Sequence, residues 1–143
     1  MESILKVDIC ARLPYGVKCK ALVYEEKTGN IEETEGVCEG ITPNGKVQIR
    51  CGCFTYYKTN LKQIKPYLRP LADMTKKEIA ELDKIETKAL YECIAGEDNG
   101  YTLKSMECNV CVIDFCNKHH LDYRGLIEKG LALVAPKDMY NFD

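Results

Sequence analysis

The chain has 143 residues, of which 45% are hydrophobic and 29% are charged, a composition typical of a soluble globular protein with one or two small domains. Its 20 basic and 22 acidic residues give a net charge of −2, so the molecule as a whole has no electrostatic attraction for duplex DNA or for a membrane. No stretch has the pattern of a secretory signal or the roughly 18 apolar residues of a transmembrane helix, so we expect a cytoplasmic protein.

Three segments of the first half alternate apolar and polar residues with a period of two, which predicts β-strands: "VKCKALVY" at 17–24, "TEGVCEGI" at 34–41 and "KVQIRCGCF" at 46–54. The intervening "KTGN" and "TPNGK" favour tight turns. "LKQIKPYL" at 61–68 predicts an edge strand or the exit from one, because Pro66 lacks the amide that a sheet requires. Residues 1–70 are therefore expected to form a small antiparallel SH3-like β-barrel or curled sheet.

The second half, 71–143, is predicted to be helical and to pack with the first half as one unit, which gives an α+β protein. Thr75 and Glu78 have the spacing of a capping box, and the apolar residues that follow at intervals of three and four predict a helix that stops at "GEDNGY". The apolar segment 105–120 predicts a second, buried helix. Asp122 then predicts the cap of a short helix "YRGLIEK", with Gly130 after it and a strand at "LALV".

The segment "CNVCVIDFCNKHH", residues 108–120, raises the question of a metal. A zinc site would use Cys108, Cys111, Cys116 and His119, but no tight turn brings the first two thiols together, and one helix rarely supplies four ligands. The favoured alternative is therefore that the nine cysteines are free thiols that fill the core, and this alternative requires no cofactor.

Catalytic motifs do not emerge from the sequence. Cys116 and His119 lie one helical turn apart and leave a thiol enzyme open as an alternative. The stronger explanation is structural: His119 and His120 come just before the Asp122 cap, where histidine suits the carboxyl end of the preceding helix through its dipole. We expect no catalytic residues and a protein that is not an enzyme.

Residues 56–77, "YYKTNLKQIKPYLRPLADMTKK", form a basic and aromatic stretch with six basic residues against one acidic residue. Lysine and arginine beside flat rings suit a phosphate and a base, whereas the alternative is that these lysines only solvate an edge strand. The ligand-binding residues predicted on this basis, with one arginine from the second half, are Tyr56, Tyr57, Lys58, Lys62, Lys65, Arg69 and Arg124.

Three segments, "DICARLPYGVK" at 8–18, "IKPYLRPLADMTKKE" at 64–78 and "NKHHLDYRGLIEKGLALVAPKDMY" at 117–140, resemble small uncharacterised proteins of Bacteroidetes phages and mobile elements. In those relatives the stretch that corresponds to Cys108 and Cys111 is not rich in cysteine, so the resemblance implies no family metal site. It implies a genomic setting but supplies no catalytic residues to carry over to this chain.

Small phage proteins without catalytic motifs commonly act by occupying a target. The resulting hypothesis is a non-enzymatic binding protein, in a counter-defence role, that sequesters an anionic nucleotide-like ligand; a homo-oligomer is compatible with it. The alternative is an adaptor or inhibitor that binds a host protein. Neither hypothesis involves a membrane or duplex DNA.

Overall fold

The computed structural model describes residues 2–24, 27–52, 55–95 and 103–141 of the chain. Its regular elements are, in chain order, α1 Glu2–Arg12, β1 Lys18–Tyr24, β2 Ile31–Ile41, β3 Lys46–Cys51, β4 Thr55–Asn60, β5 Ile64–Leu68, α2 Lys76–Ala95, α3 Leu103–Lys118 and β6 Leu133–Val134.

The six strands form one curled sheet in the order β4-β3-β2-β1-β5-β6. All pairs are antiparallel except β5 with β6, which is parallel. Strands β4 and β1 are not neighbours in this order, yet the Thr59 hydroxyl of β4 donates a hydrogen bond to the carbonyl of Leu22 in β1 at 2.9 Å. The sheet therefore curls into a half-barrel, and the expected α+β class with a curled sheet is confirmed.

Helix α1 covers the main hydrophobic core with Leu5 and Ile9, both buried. Sequence analysis did not predict this helix. Asp8 and Arg12 lie on the same helical face, four residues apart, and both are fully buried. Because two charged residues interrupt the buried stripe, the segment lacks a clear apolar period of 3.6 residues.

The three strands predicted from alternation are confirmed as β1, β2 and β3. The prediction of an edge strand at 61–68 is wrong, because β5 lies between β1 and β6. Pro66 is tolerated inside the sheet at the point where it lies opposite Cys19. Beside Pro66 the Tyr140 hydroxyl bridges β1 and β5. It accepts a hydrogen bond from the Lys18 amide at 2.9 Å and donates one to the Tyr67 carbonyl at 2.8 Å.

The capping box that begins α2 is confirmed. The Thr75 amide donates to Glu78 Oε1 at 2.9 Å, and the Glu78 amide donates to Thr75 Oγ1 at 3.2 Å. Helix α3 is also confirmed, but its expected burial is only partly right. Phe115 and Cys116 are buried, whereas the preceding turns expose Val110 and Ile113. The predicted stop signal "GEDNGY", residues 96–101, lies outside the described residues, and α2 is described as far as Ala95.

The short helix predicted after Asp122 is wrong, since residues 123–132 form turns and bends. The Asp122 carboxylate nevertheless caps two amides, accepting hydrogen bonds from Leu126 at 2.8 Å and from Ile127 at 3.0 Å. The glycines at 125 and 130 take positive φ and favour turns over a continuous helix. The predicted strand at "LALV", residues 131–134, is confirmed only in its second half, as β6.

Residues from both halves of the chain build the sheet and its flank. Strand β6 pairs with β5, and the Arg69 amide donates to the His120 carbonyl at 2.7 Å. The described helices include none with the length and apolar character needed to cross a membrane.

Candidate functional site

A groove of about 270 Å³ lies beside the pairing of β1 with β5. Its lysines are Lys20 from β1, Lys65 from β5 and Lys62 from the turn before β5. Among the described residues, Ala21, Leu22 and Leu133 contribute its apolar surface, Glu33 from β2 contributes one carboxylate, and Gln63 also lines it. We call this feature the lysine groove.

The sheet register brings two of these lysines together. Lys20 and Lys65 are direct cross-strand partners, an arrangement in which like charges repel and destabilise the sheet. Glu33 offsets part of that repulsion, because its Oε2 lies 3.1 Å from the Lys20 Nζ. Within the described part of the chain Lys65 has no ion-pair partner, so positive charge remains at the groove.

Lys62 also lines a second depression, of about 660 Å³, between the start of α1 and the turn after β2. Lys6, Asn44 and Asn60 lie on its wall. The Lys6 ammonium donates a hydrogen bond to the Pro43 carbonyl at 2.7 Å, which fixes this cation at the edge of the depression. Lys62 therefore lines both concave surfaces, with Lys20 and Lys65 in the lysine groove and with Lys6 in the second depression.

Of the remaining residues predicted in the basic stretch, those with described side chains, Tyr57, Lys58 and Arg69, do not line the lysine groove. Tyr57 is half-buried and packs against the main core, so its ring is used for packing. Lys58 is exposed on β4, opposite Gln48 of β3. The side chain of Tyr56 lies outside the described residues.

The Arg69 side chain forms contacts that hold elements of the fold together. Its guanidinium donates to both oxygens of Glu78, at 2.7 and 2.8 Å, and also to the carbonyls of His119 and Asp73. Burial favours the neutral acid, but the Arg69 guanidinium and the Thr75 hydrogen bonds outweigh it and lower the pKa of Glu78 to about 2. This fork joins β5 to the start of α2 and leaves Arg69 engaged within the fold.

Arg124 belongs to a second buried charge network. Its Nε lies 3.3 Å from Asp8 Oδ1, and its guanidinium lies 5.0 Å from the centre of the Tyr123 ring. Asp8 in turn accepts two hydrogen bonds from Arg12, at 2.8 and 3.1 Å. Arg12 also donates to the Leu121 carbonyl at 2.7 Å, so it ties α1 to the segment after α3.

The cysteines divide into two groups. Among the six whose side chains are described, Cys19, Cys38 and Cys116 are buried, which confirms for them the prediction that thiols fill the core. That prediction is wrong for Cys10 and Cys111, which are exposed; Cys51 is half-buried. All six are free thiols.

The residues proposed for zinc do not converge in the described part of the chain. Cys111 is exposed and Cys116 is buried, although they lie on the same helix, and the Cys108 side chain is outside the described residues. The described side chains contain no group of three or more histidine, cysteine, aspartate or glutamate residues placed to hold a metal ion.

The two histidines are held within the fold. His119 Nδ1 lies 2.7 Å from Glu78 Oε2, and its ring stacks on Phe115. The His120 ring stacks on Tyr140, with 3.9 Å between ring centres. Burial, with Arg12 nearby, lowers the pKa of His120 to about 3, so its imidazole is neutral at pH 7. Both rings border an open depression of about 450 Å³.

Sequence analysis missed Lys20, Glu33 and Leu133 as groove residues. Alternation in "VKCKALVY" places Lys20 on the polar face of β1, which was an available signal. The pairing of β1 with β5, and of β5 with β6, joins segments far apart in the chain. That information is absent from local patterns.

Comparisons with protein-family models, with curated proteins and with solved structures find no match to this chain. The candidate site is therefore argued from its geometry alone.

Proposed function

We propose that this chain is a non-enzymatic binding protein that sequesters an anionic, nucleotide-like ligand in the lysine groove. The observation that carries the proposal is the convergence of Lys20, Lys62 and Lys65 beside the apolar Leu22 and Leu133. Ammonium groups bind phosphate, and an apolar surface accepts the face of a base. The direct pairing of Lys20 with Lys65 costs folding energy that a bound anion would offset.

The size of the groove favours a small ligand. At about 270 Å³ it lies just below the usual range for ligand sites and suits one base or one phosphorylated group. The second depression beside Lys62, with Lys6 on its wall, is a place for a further phosphate of the same ligand. A long single strand would require a continuous track of cations and rings.

The wider setting is part of the same proposal. A cytoplasmic phage protein with an SH3-like half-barrel would act by occupancy, withholding a signalling nucleotide from host defence. Catalysis has no role in this account, and neither does zinc or another cofactor.

The experiment measures what the purified protein holds and what it binds. The protein is incubated with a nucleotide extract, washed and heated, and the released material is identified by mass; adenosine triphosphate, adenosine and inorganic phosphate are then titrated by calorimetry at low and physiological salt. The proposal predicts that triphosphate binds more tightly than adenosine and more weakly as salt rises. No released nucleotide, together with no salt-sensitive triphosphate binding, would overturn it.

A second candidate function, an adaptor that binds a host protein, is favoured by one observation. Tyr24 and Ile31 are cross-strand partners at the end of the β1–β2 hairpin and are 63% and 65% exposed. Aromatic and aliphatic side chains in such pairs anchor protein interfaces. A Tyr24→Ser and Ile31→Ser double variant separates the candidates, because it should abolish capture of a host protein and leave nucleotide retention unchanged.

A further inference from the structure

Two buried thiols meet in the centre of the sheet. The Cys38 thiol of β2 donates a hydrogen bond to the sulfur of Cys19 in β1, with 3.1 Å between the sulfur atoms. Both side chains are almost fully buried, with 0% and 1% of their surface exposed. The residue directly opposite Cys19 is Gly36, so the two cysteines face each other diagonally across neighbouring strands.

The two sulfur atoms are in contact with each other but are not bonded. A disulfide has a sulfur–sulfur bond of about 2.05 Å, so the two atoms need to approach by about 1 Å. The strands that carry them are already paired, since the Cys38 amide donates to the Val17 carbonyl at 2.9 Å. Bond formation therefore requires no new pairing of the backbone.

We propose that Cys19 and Cys38 are a modification site, a thiol pair that closes to a disulfide when a peroxide oxidises the protein. This inference does not depend on the proposed ligand. Cys116 is also buried, but it is not part of this pair because it lies in the second, smaller core cluster beside α2.

The hydrogen bond suggests the order of the chemistry. The Cys19 sulfur, which accepts the bond, attacks one peroxide oxygen; the O–O bond breaks, a sulfenic acid forms on Cys19 and its proton leaves in a molecule of water. The Cys38 sulfur then attacks the Cys19 sulfur, the S–S bond forms, the S–O bond breaks and a second water leaves. Two thiols and one hydrogen peroxide thus give one disulfide and two waters, and the peroxide takes up both electrons.

The environment makes this oxidation slow in the folded protein. The hydrogen bond with Cys19 and burial raise the pKa of Cys38 well above its ordinary value, so little Cys38 thiolate is present at neutral pH and its attack on the Cys19 sulfenic acid is slow. Hydrogen peroxide is a small oxidant and reaches core positions that a bulky disulfide reagent does not. We expect faster closure in alkaline buffer and during refolding.

The test is peptide mapping of the whole chain after treatment with hydrogen peroxide. The native protein, and a sample refolded with peroxide present, are alkylated under denaturing conditions and digested without reductant. The expected result is a linked peptide that contains Cys19 and Cys38, lighter than its two components by two hydrogens and lost on reduction. The midpoint of thermal unfolding should rise by roughly 5 to 10 °C, because the bond closes a loop in the unfolded chain.

Two variants serve as controls. Cys10→Ser removes an exposed thiol and should leave the linked peptide unchanged, whereas Cys38→Ala should abolish both the peptide and the rise in the unfolding midpoint. The proposal is overturned if Cys19 and Cys38 remain alkylatable in both samples while the exposed thiols are oxidised. A map dominated by links to other cysteines overturns it equally, and neither result bears on nucleotide binding.

Discussion

Charged residues in this molecule occupy two contrasting regions. In the first, around the carboxyl end of α3, acids and bases are buried and matched: Asp8 with Arg12, both fully buried, and Glu78 with Arg69, whose side chains are 6% and 13% exposed. In these pairs the charges hold α1, β5 and α2 to the segment that follows α3.

In the second region, the lysine groove, the described lining contains three lysines and one glutamate, and most of these side chains face solvent. Lys62 and Lys65 are exposed, and Glu33 pairs with Lys20. Basic residues therefore have two different roles in this molecule. The arginines with planar, bidentate partners build the fold, whereas Lys65 faces solvent without an ion-pair partner among the described residues.

The largest expected effect breaks the first region. Asp8→Asn leaves the fully buried Arg12 beside a neutral side chain and removes the carboxylate partner of the partly exposed Arg124, so the free energy of unfolding should fall by about 3 to 5 kcal/mol. Chemical denaturation followed by circular dichroism measures this loss. A matched change in the groove, Glu33→Gln, should cost about 0.5 kcal/mol or less, because the Lys20 pair is largely exposed. Equal losses for the two variants would contradict the comparison.

Acid should unfold the first region in two windows of pH. The pKa of His120 is about 3 in the folded protein against 6.5 ordinarily, so the unfolded chain binds the proton first and stability falls as pH drops below about 6.5. The pKa of Glu78 is about 2 against 4.5 ordinarily, so its contribution is complete above about 4.5 and is lost as pH falls towards 2.

The measurement is the free energy of unfolding between pH 7 and pH 4, where the His120 contribution should amount to about 3 kcal/mol. His120→Asn preserves the positive φ at this position, which asparagine tolerates, and removes the imidazole. The variant should therefore lose less stability than the native chain over this range. An identical pH profile would show that His120 does not titrate as its burial requires.

The sequence predicted those parts of the fold that depend on local patterns. Alternation located β1 to β3, and the Thr75 and Glu78 spacing located the start of α2, because these signals act over a few residues. The burial of Asp8 and Arg12 concealed α1, and two left-handed glycines prevented the helix expected after Asp122.

The candidate site was only partly predictable for the same reason. Lys62 and Lys65 lie within one basic stretch and were found from it, whereas Lys20 joins them only through the pairing of β1 with β5. Arg69 was grouped with the lysines by its charge alone. Its partner Glu78 is nine residues away, and the sequence offers no sign that the two side chains meet.

That difference between Arg69 and the lysines determines how the site should be tested. Arg69→Glu would place a carboxylate against Glu78 and damage the fold, so a loss of binding in that variant would carry no information about a ligand. Lys62→Glu with Lys65→Glu reverses two charges at exposed positions. The matched control is Lys76→Glu with Lys77→Glu, two exposed residues at the start of α2, where acids are tolerated.

The most direct measurement is the affinity of the native chain and of these two double variants for adenosine triphosphate, by calorimetry at low salt. The account predicts that reversal at Lys62 and Lys65 weakens binding at least about tenfold, with the unfolding midpoint unchanged, and that the control retains native affinity. Equal affinity of both variants and the native chain, or equal loss in both variants, would contradict the assignment of the lysine groove as the ligand site.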